Sequence, residues 1–397
     1  MILKKLLLMI SLILISTGSI ISCKFTLSGT VTDINGDPIE GVEIKVAEGL
    51  TDTTDALGEY SIADIPYGNY TAIATHPDYK TEVRNIDTSY LDNGLSCKNI
   101  DGNFYFRNKN QWEILANLPC QGFDSLRSVF FIDSNNGWTC GYYGGGLFNT
   151  TDGGKNWINQ ECPDAQNSES VFFVNNNTGW ICGDGIYNTT DGGTTWNNQY
   201  NGYYDMSSIY FVNASTGWAC GHGILHTSNG GENWNTQNMD SYYNLNSIYF
   251  VNTSTGWICG GNGEILHTSN GGENWNEQES STEYTLNNIC FIDNNTGWAC
   301  GSVGIILHTS DGGQNWTTQN NGLSEEEEGW FNCIKFLDDD NGWIVGGEGL
   351  ILHTVDGGET WNRSESGSTM YLSSVYFIDN NNGWAVGGGG IVLKYAP

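Results

Sequence analysis

Histidine and cysteine supply the most evident site chemistry in this 397-residue chain. His226, His267, His308 and His353 each precede a threonine, and Cys140, Cys182, Cys220, Cys259 and Cys300 each precede a glycine. Imidazole and thiolate are the usual zinc donors, but a zinc site needs them close together, and no Cys-x-x-Cys pair occurs. Both sets recur instead in steps of about forty residues, each at one repeated position. Asn149, Asn188 and Lys394 stand at the histidine position elsewhere, and Val345 and Val386 at the cysteine position. A slot that accepts valine is apolar and buried. Equivalent positions on packed sheets are about 10 Å apart, too far for a disulfide. The expectation is therefore packed histidines and free core thiols, with no metal and no cofactor. Cys120 and Cys162 fall outside the pattern, in loops, and form a candidate disulfide. Asp33, Asn35 and Asp37 alternate like calcium ligands but lack a bidentate glutamate, so a turn is the better reading. Among the 45 acids a pair about 5 to 10 Å apart would suit glycoside hydrolysis.

The repeat that dictates these positions is written in tryptophan. Gly-Trp occurs seven times after a turn of Asn, Thr or Asp, and six of those units continue to an Asp/Asn-Gly-Gly-x-x-Trp box. The pairs are Trp138/Trp157, Trp180/Trp196, Trp218/Trp234, Trp257/Trp275, Trp298/Trp316 and Trp343/Trp361, with Trp384 alone. Such a period predicts a β-propeller blade of four antiparallel strands, with the box at the turn between its third and fourth strands. The seventh unit ends at Pro397 without a fourth strand, whereas Gln111-Trp112-Glu113-Ile114-Leu115 is an outer strand without a blade. Joining them closes a seven-bladed ring and removes an exposed edge. The fold class is all-β, and residues 109–397 are assigned to the propeller.

Residues 23–108 read as a separate small β-sandwich. Apolar residues alternate at Leu27 and Val31, at Val42, Ile44 and Val46, and at Ala72 and Ala74. Ser28-Gly29-Thr30-Val31-Thr32-Asp33, Gly58-Glu59-Tyr60-Ser61-Ile62 and Ile65-Pro66-Tyr67-Gly68 resemble the carboxypeptidase regulatory-like domain. That resemblance implies a transthyretin-like spacer or adhesive module without catalytic residues. Ahead of it, Lys4, Lys5 and the apolar run Leu6 to Ile15 read as a signal peptide over residues 1–22, too short to span a bilayer. Its end, Ile20-Ile21-Ser22-Cys23, resembles a bacterial lipobox and implies lipidation of Cys23. The expected location is the bacterial cell envelope, lipid-anchored at the outer membrane and facing the periplasm or the exterior.

Asn-Thr-Gly-Trp-x-Cys-Gly followed by Ile-Leu-His-Thr-Ser-Asp-Gly-Gly-x-x-Trp resembles the Asp-box, or bacterial neuraminidase repeat, and more closely the photosystem II stability and assembly factor-like propellers. The likeness runs from about Gln111 to Pro397 and implies the fold. Photosynthetic relatives are said to present arginines to their client, and sialidases clamp a carboxylate with three; residues 109–397 contain Arg127 and Arg363 alone. Neither a photosystem role nor sialidase chemistry fits that inventory.

The formal charge of −31 repels phosphate backbones, so nucleic acid is not an expected partner. The loops between blades are aromatic. Phe123, Tyr203, Tyr204, Tyr242, Tyr243, Tyr284, Trp330 and Tyr371 fall near matching positions, alongside Glu325-Glu326-Glu327-Glu328. Amphipathic rings at loop tips serve protein or glycan recognition, and they equally staple loops to blade tops. The reading is a monomeric, non-enzymatic binding or scaffold protein that recognises an envelope protein or glycan; a glycoside hydrolase is the alternative.

Overall fold

The computed structural model describes residues 10–11, 24–33, 37–47, 49–65, 69–76, 79–87, 91–92, 96–97, 104–106, 111–119, 125–142, 146–162, 167–202, 205–237, 243–323 and 329–396. It contains two compact units, residues 1–111 and 112–397. In the first, strand Lys24–Asp33 pairs with Glu59–Ile65 and Phe104–Phe106, while a second sheet runs in the order Leu50–Thr53, Glu43–Ala47, Asn69–His76, Tyr79–Asp87. Leu27, Val31, Val42, Ile44, Ile62, Ala72 and Ala74 bury their side chains in one core, as period-two alternation requires. Asp37 N–H donates to Asp33 Oδ1 at 2.9 Å, so this carboxylate is engaged by the backbone; Asn35 lies outside the described residues.

The described residues of the second unit form seven four-stranded sheets. Their first strands are Ser125–Phe131, Ser168–Phe173, Met206–Phe211, Leu245–Phe250, Leu286–Phe291, Phe331–Phe336 and Leu372–Asp379, and we number the blades one to seven in that order. Each first strand packs against the next, and the last against the first. Blade seven has the strand order Gln111–Asn117, Ile391–Ala396, Asn382–Gly387, Leu372–Asp379. Its outermost strand thus comes from the other end of the unit. Trp112 is buried there, edge-on to Phe377 at 5.5 Å.

The repeated Gly-Trp dipeptide has a packing cause. A phenylalanine at or near the end of each first strand lays its ring over the glycine paired with it in register, as Phe211 does over Gly217 and Phe377 over Gly383. A Cβ at Gly217 would meet that ring at 2.4 Å, so any larger residue is excluded. The following tryptophan stacks on the phenylalanine of the next blade: Trp138 on Phe173 at 3.6 Å, Trp218 on Phe250 at 3.6 Å and Trp298 on Phe336 at 3.5 Å. Each blade's outer tryptophan meets the same phenylalanine edge-on, as Trp275 does Phe250 at 86°. Glycine makes room, phenylalanine fills it, and two tryptophans from different sheets enclose it.

The box locks this seam. Asp191 Oδ1 accepts from Thr195 N–H at 2.8 Å and from the Thr189 hydroxyl at 2.9 Å, and Gly192 and Gly193 take positive φ, the region that glycine enters without penalty. The Gly192 carbonyl, turned outward by that geometry, accepts from the indole N–H of Trp138 and the amide of Gln160, both in the preceding blade. The same bridge repeats at Gly230, Gly271, Gly312 and Gly357. Blade seven has no box, and the Trp343 indole N–H facing it is buried without an acceptor among the described residues.

Candidate binding face

The loops entering blades four to seven pair with the turn between strands two and three of the same blade. The carbonyls of Asn244, Thr285, Trp330 and Tyr371 accept from the backbone N–H groups of Gly261, Ser302, Gly347 and Gly388 at 2.9 to 3.0 Å. One register therefore fixes all four loop ends. Trp330 and Tyr371 occupy it, and Tyr243 and Tyr284 precede it by one residue. Tyr243, Tyr284, Trp330 and Tyr371 are between 38% and 55% exposed, and so are Val303, in the turn of blade five, and Met370. Polar loop contacts hold these positions: Asn321 donates its amide to Gly304 O at 2.9 Å, and Ser366 its hydroxyl to Ser368 O at 3.0 Å. The result is a crescent of large apolar side chains at one end of four successive blades.

Strand alternation misses two members of this crescent. Met370 precedes Tyr371, and Val303 occupies the position of Asn262 and Glu348 in the neighbouring turns. All three turn residues adopt φ of 53° to 58°, a conformation that β-branched side chains rarely take. Phe123, Tyr203, Tyr204, Tyr242, Cys23 and Cys120 lie outside the described residues, and so does the pairing of Cys120 with Cys162.

The other candidate chemistry resolves into packing. His226, His267, His308 and His353 stack on Trp218, Trp257, Trp298 and Trp343 of their own blades at 4.6 to 5.1 Å, and burial lowers all four pKa values. Among the described residues no cluster of three or more His, Cys, Asp or Glu could hold a metal. Cys140, Cys182, Cys220, Cys259 and Cys300 are buried free thiols, and desolvation raises their pKa values well above the ordinary value, which disfavours the reactive thiolate. Along the axis, Phe130, Phe172, Tyr210 and Tyr249 form consecutive ring contacts of 4.9 to 5.0 Å, and Tyr376 joins Phe130 at 4.7 Å. Cys290 and Lys335 take the equivalent positions of blades five and six, the Lys335 ammonium 5.6 Å from the Tyr376 ring centroid. Burial raises the pKa of Glu169, the Arg127 guanidinium 3.7 Å away opposes that rise, and Asp184 adds to it. The box carboxylates, by contrast, are pulled down by their turn hydrogen bonds.

Comparison with known families accounts for the repeat. The model of the photosystem II assembly factor YCF48 family matches residues 105–202, 199–281 and 273–371, more than half of the chain. The chain belongs to the YCF48 family. A carboxypeptidase regulatory-like domain precedes the YCF48-like propeller and matches residues 26–91. The YCF48 of Cyanidioschyzon merolae shares 21% identity with a TM-score of 0.60, covering 72% of this chain and 99% of that one. A YCF48 bound to D1 peptide shares 24% identity with a TM-score of 0.60, covering 72% and 97%. Those likenesses show the fold. Structural protein 27 of a virus, isolate Australia/Victoria, is 36% identical over 86 residues, 22% of this chain and 15% of that protein, so the chain spans a small part of that relative. Among the described residues, no helix is long and apolar enough to cross a membrane.

Proposed function

We propose that this YCF48-family chain is a non-enzymatic binding or scaffold protein of a bacterial cell envelope, held by lipid on Cys23 and recognising its partner through the crescent on blades four to seven. The observation that carries this reading is the crescent itself. Tyr243, Tyr284, Val303, Trp330, Met370 and Tyr371 are exposed together at these loop ends and turns, whereas the other exposed large apolar side chains of the unit, Ile114, Ile158 and Val355, lie on outer strands and a box turn. Exposed apolar groups gathered on one face, and held by backbone pairing, mark interaction surfaces. A YCF48 relative binds a peptide, which supports a polypeptide ligand over a glycan.

Hydrolysis of a glycoside would need a protonated acid beside an ionised carboxylate. Glu169 has the raised pKa such an acid needs and Asp184 adds to the rise, but the Arg127 guanidinium lies 3.7 Å from the Glu169 carboxylate and favours its ionised form. Turn hydrogen bonds hold the carboxyls of Asp152, Asp191, Asp311 and Asp356 below the ordinary carboxylate range, which keeps them ionised.

Peptide and glycan arrays probed with the full chain test the reading. Binding to a discrete set of ligands, lost in a Tyr243→Ala/Trp330→Ala variant, is expected. Cleavage of any bound ligand would establish an enzyme instead, and binding undiminished in the variant would remove the crescent from the account. For the anchor, Cys23→Ala is expected to move the protein from membranes to the soluble fraction.

A further inference from the structure

We propose that the crescent docks a cationic polypeptide segment in which basic and aliphatic side chains alternate; this rests on the binding face argued above and adds the chemistry of its occupant. The loops and turns carrying the crescent hold exposed Glu279, Glu283 and Glu348 and half-buried Glu365, and no lysine or arginine among the described residues. The cations of residues 112–397 are placed elsewhere. Arg127 is paired with Glu169, Lys335 stands over Tyr376 on the axis, and Lys394 stands over Trp384. Lys155 lies in a box turn and Arg363 on the outer strand Asn362–Ser364. The face thus combines aromatic rings with uncompensated carboxylates, inside a chain of charge −31. Lysine and arginine suit both partners at once, the ammonium or guanidinium over a ring face and the charge toward a carboxylate.

Val303 and Met370 decide between a polypeptide and a sugar. Neither offers a hydrogen bond, so a hydroxyl-covered ligand laid across them would lose water without replacement, whereas a leucine or valine side chain would gain contact. An anionic polymer is disfavoured by the same carboxylates.

Fluorescence anisotropy with the full chain tests this, using short labelled peptides of alternating Lys-Leu, Ser-Leu and Glu-Leu, and chitohexaose as the sugar probe. The Lys-Leu peptide is expected to bind at least about tenfold more tightly than Ser-Leu at low salt, the advantage shrinking as salt screens it. Tyr284→Ala/Trp330→Ala should weaken it by about tenfold or more, and Glu283→Gln/Glu348→Gln severalfold. Glu232→Gln/Glu273→Gln, which removes equal charge from the box turns at the other end of the blades, should change nothing. Equal binding of Ser-Leu that the aromatic variant abolishes would overturn the cationic partner and leave the binding face standing; so would binding of chitohexaose alone that the variant abolishes. Lys-Leu binding that survives the aromatic variant would mark adhesion to acidic surface in general and remove both claims. The altered side chains are exposed, so unchanged melting temperatures are expected to accompany each result.

Discussion

Trp384 lies flat on Phe131, ring centroids 3.5 Å apart and planes 6° apart, and its indole N–H donates to Gly153 O at 2.9 Å. The last blade therefore meets the first through the ring stacking that joins every other pair. Truncating Trp384 to alanine should cost about 3 to 5 kcal/mol, as for any buried tryptophan, and the same as Trp218→Ala. Urea unfolding of both variants checks this. A loss at Trp384 below about 1 kcal/mol would mean an unsealed ring in solution.

The missing box in blade seven makes a sharper comparison. Trp298 donates to Gly357 O at 3.1 Å, whereas the Trp343 N–H has no acceptor among the described residues. Phenylalanine in place of Trp298 forfeits a hydrogen bond as well as ring area and leaves a carbonyl with one fewer donor. In place of Trp343 it removes an unsatisfied donor. Trp343→Phe should be milder by about 1 kcal/mol, measured by thermal and chemical denaturation. Equal costs would show that another group satisfies the Trp343 indole.

Acid should weaken the propeller in two stages. The stacked histidines have folded pKa values lowered by burial, so they stay neutral when folded and protonate in the unfolded chain below about pH 6.5. Stability is then lost as pH falls from about 6.5. His353→Asn, which installs the residue of blades one and two, should shallow that slope in melting temperature against pH. Asp152 and Asp356, held down to about 2 by their Asn156 and Thr360 hydrogen bonds, give stability that is present above about pH 4 and lost toward pH 2.

Val303 should trade stability for binding. Its φ of 56° places a β-branched residue in the left-handed region, at a cost of about 1 to 2 kcal/mol that asparagine largely avoids. Val303→Asn is expected to raise the melting temperature and weaken ligand binding at the crescent. Tighter binding by the asparagine variant would exclude Val303 from the contact surface.

The sheets could be read from the chain because packing repeats. Gly217, Trp218 and Phe211 each have one task in every blade, so their spacing carries the architecture, and the departures at Val345 and Val386 identify the cysteine slot as core. The crescent was legible in part. Tyr284 and Trp330 are visible in the sequence as aromatics in loops, but Val303 gains its meaning from a backbone torsion in a turn, which periodicity does not encode. The sharing of one carbonyl by Trp138 and Gln160 was hidden for the same reason: the acceptor, Gly192, belongs to the following repeat.

Strand Gln111–Asn117 pairs with Ile391–Ala396, and this arrangement governs the order of assembly. A nascent chain emerges with its N-terminal segment first, yet that strand has nothing to pair with until Ile391–Ala396 has been made. Until then the growing array carries a bare lateral edge at each extremity, and such edges invite self-association. Circularisation is consequently a late step in biogenesis, and premature termination before residue 391 would yield a fragment whose blades are made but whose flanks are sticky.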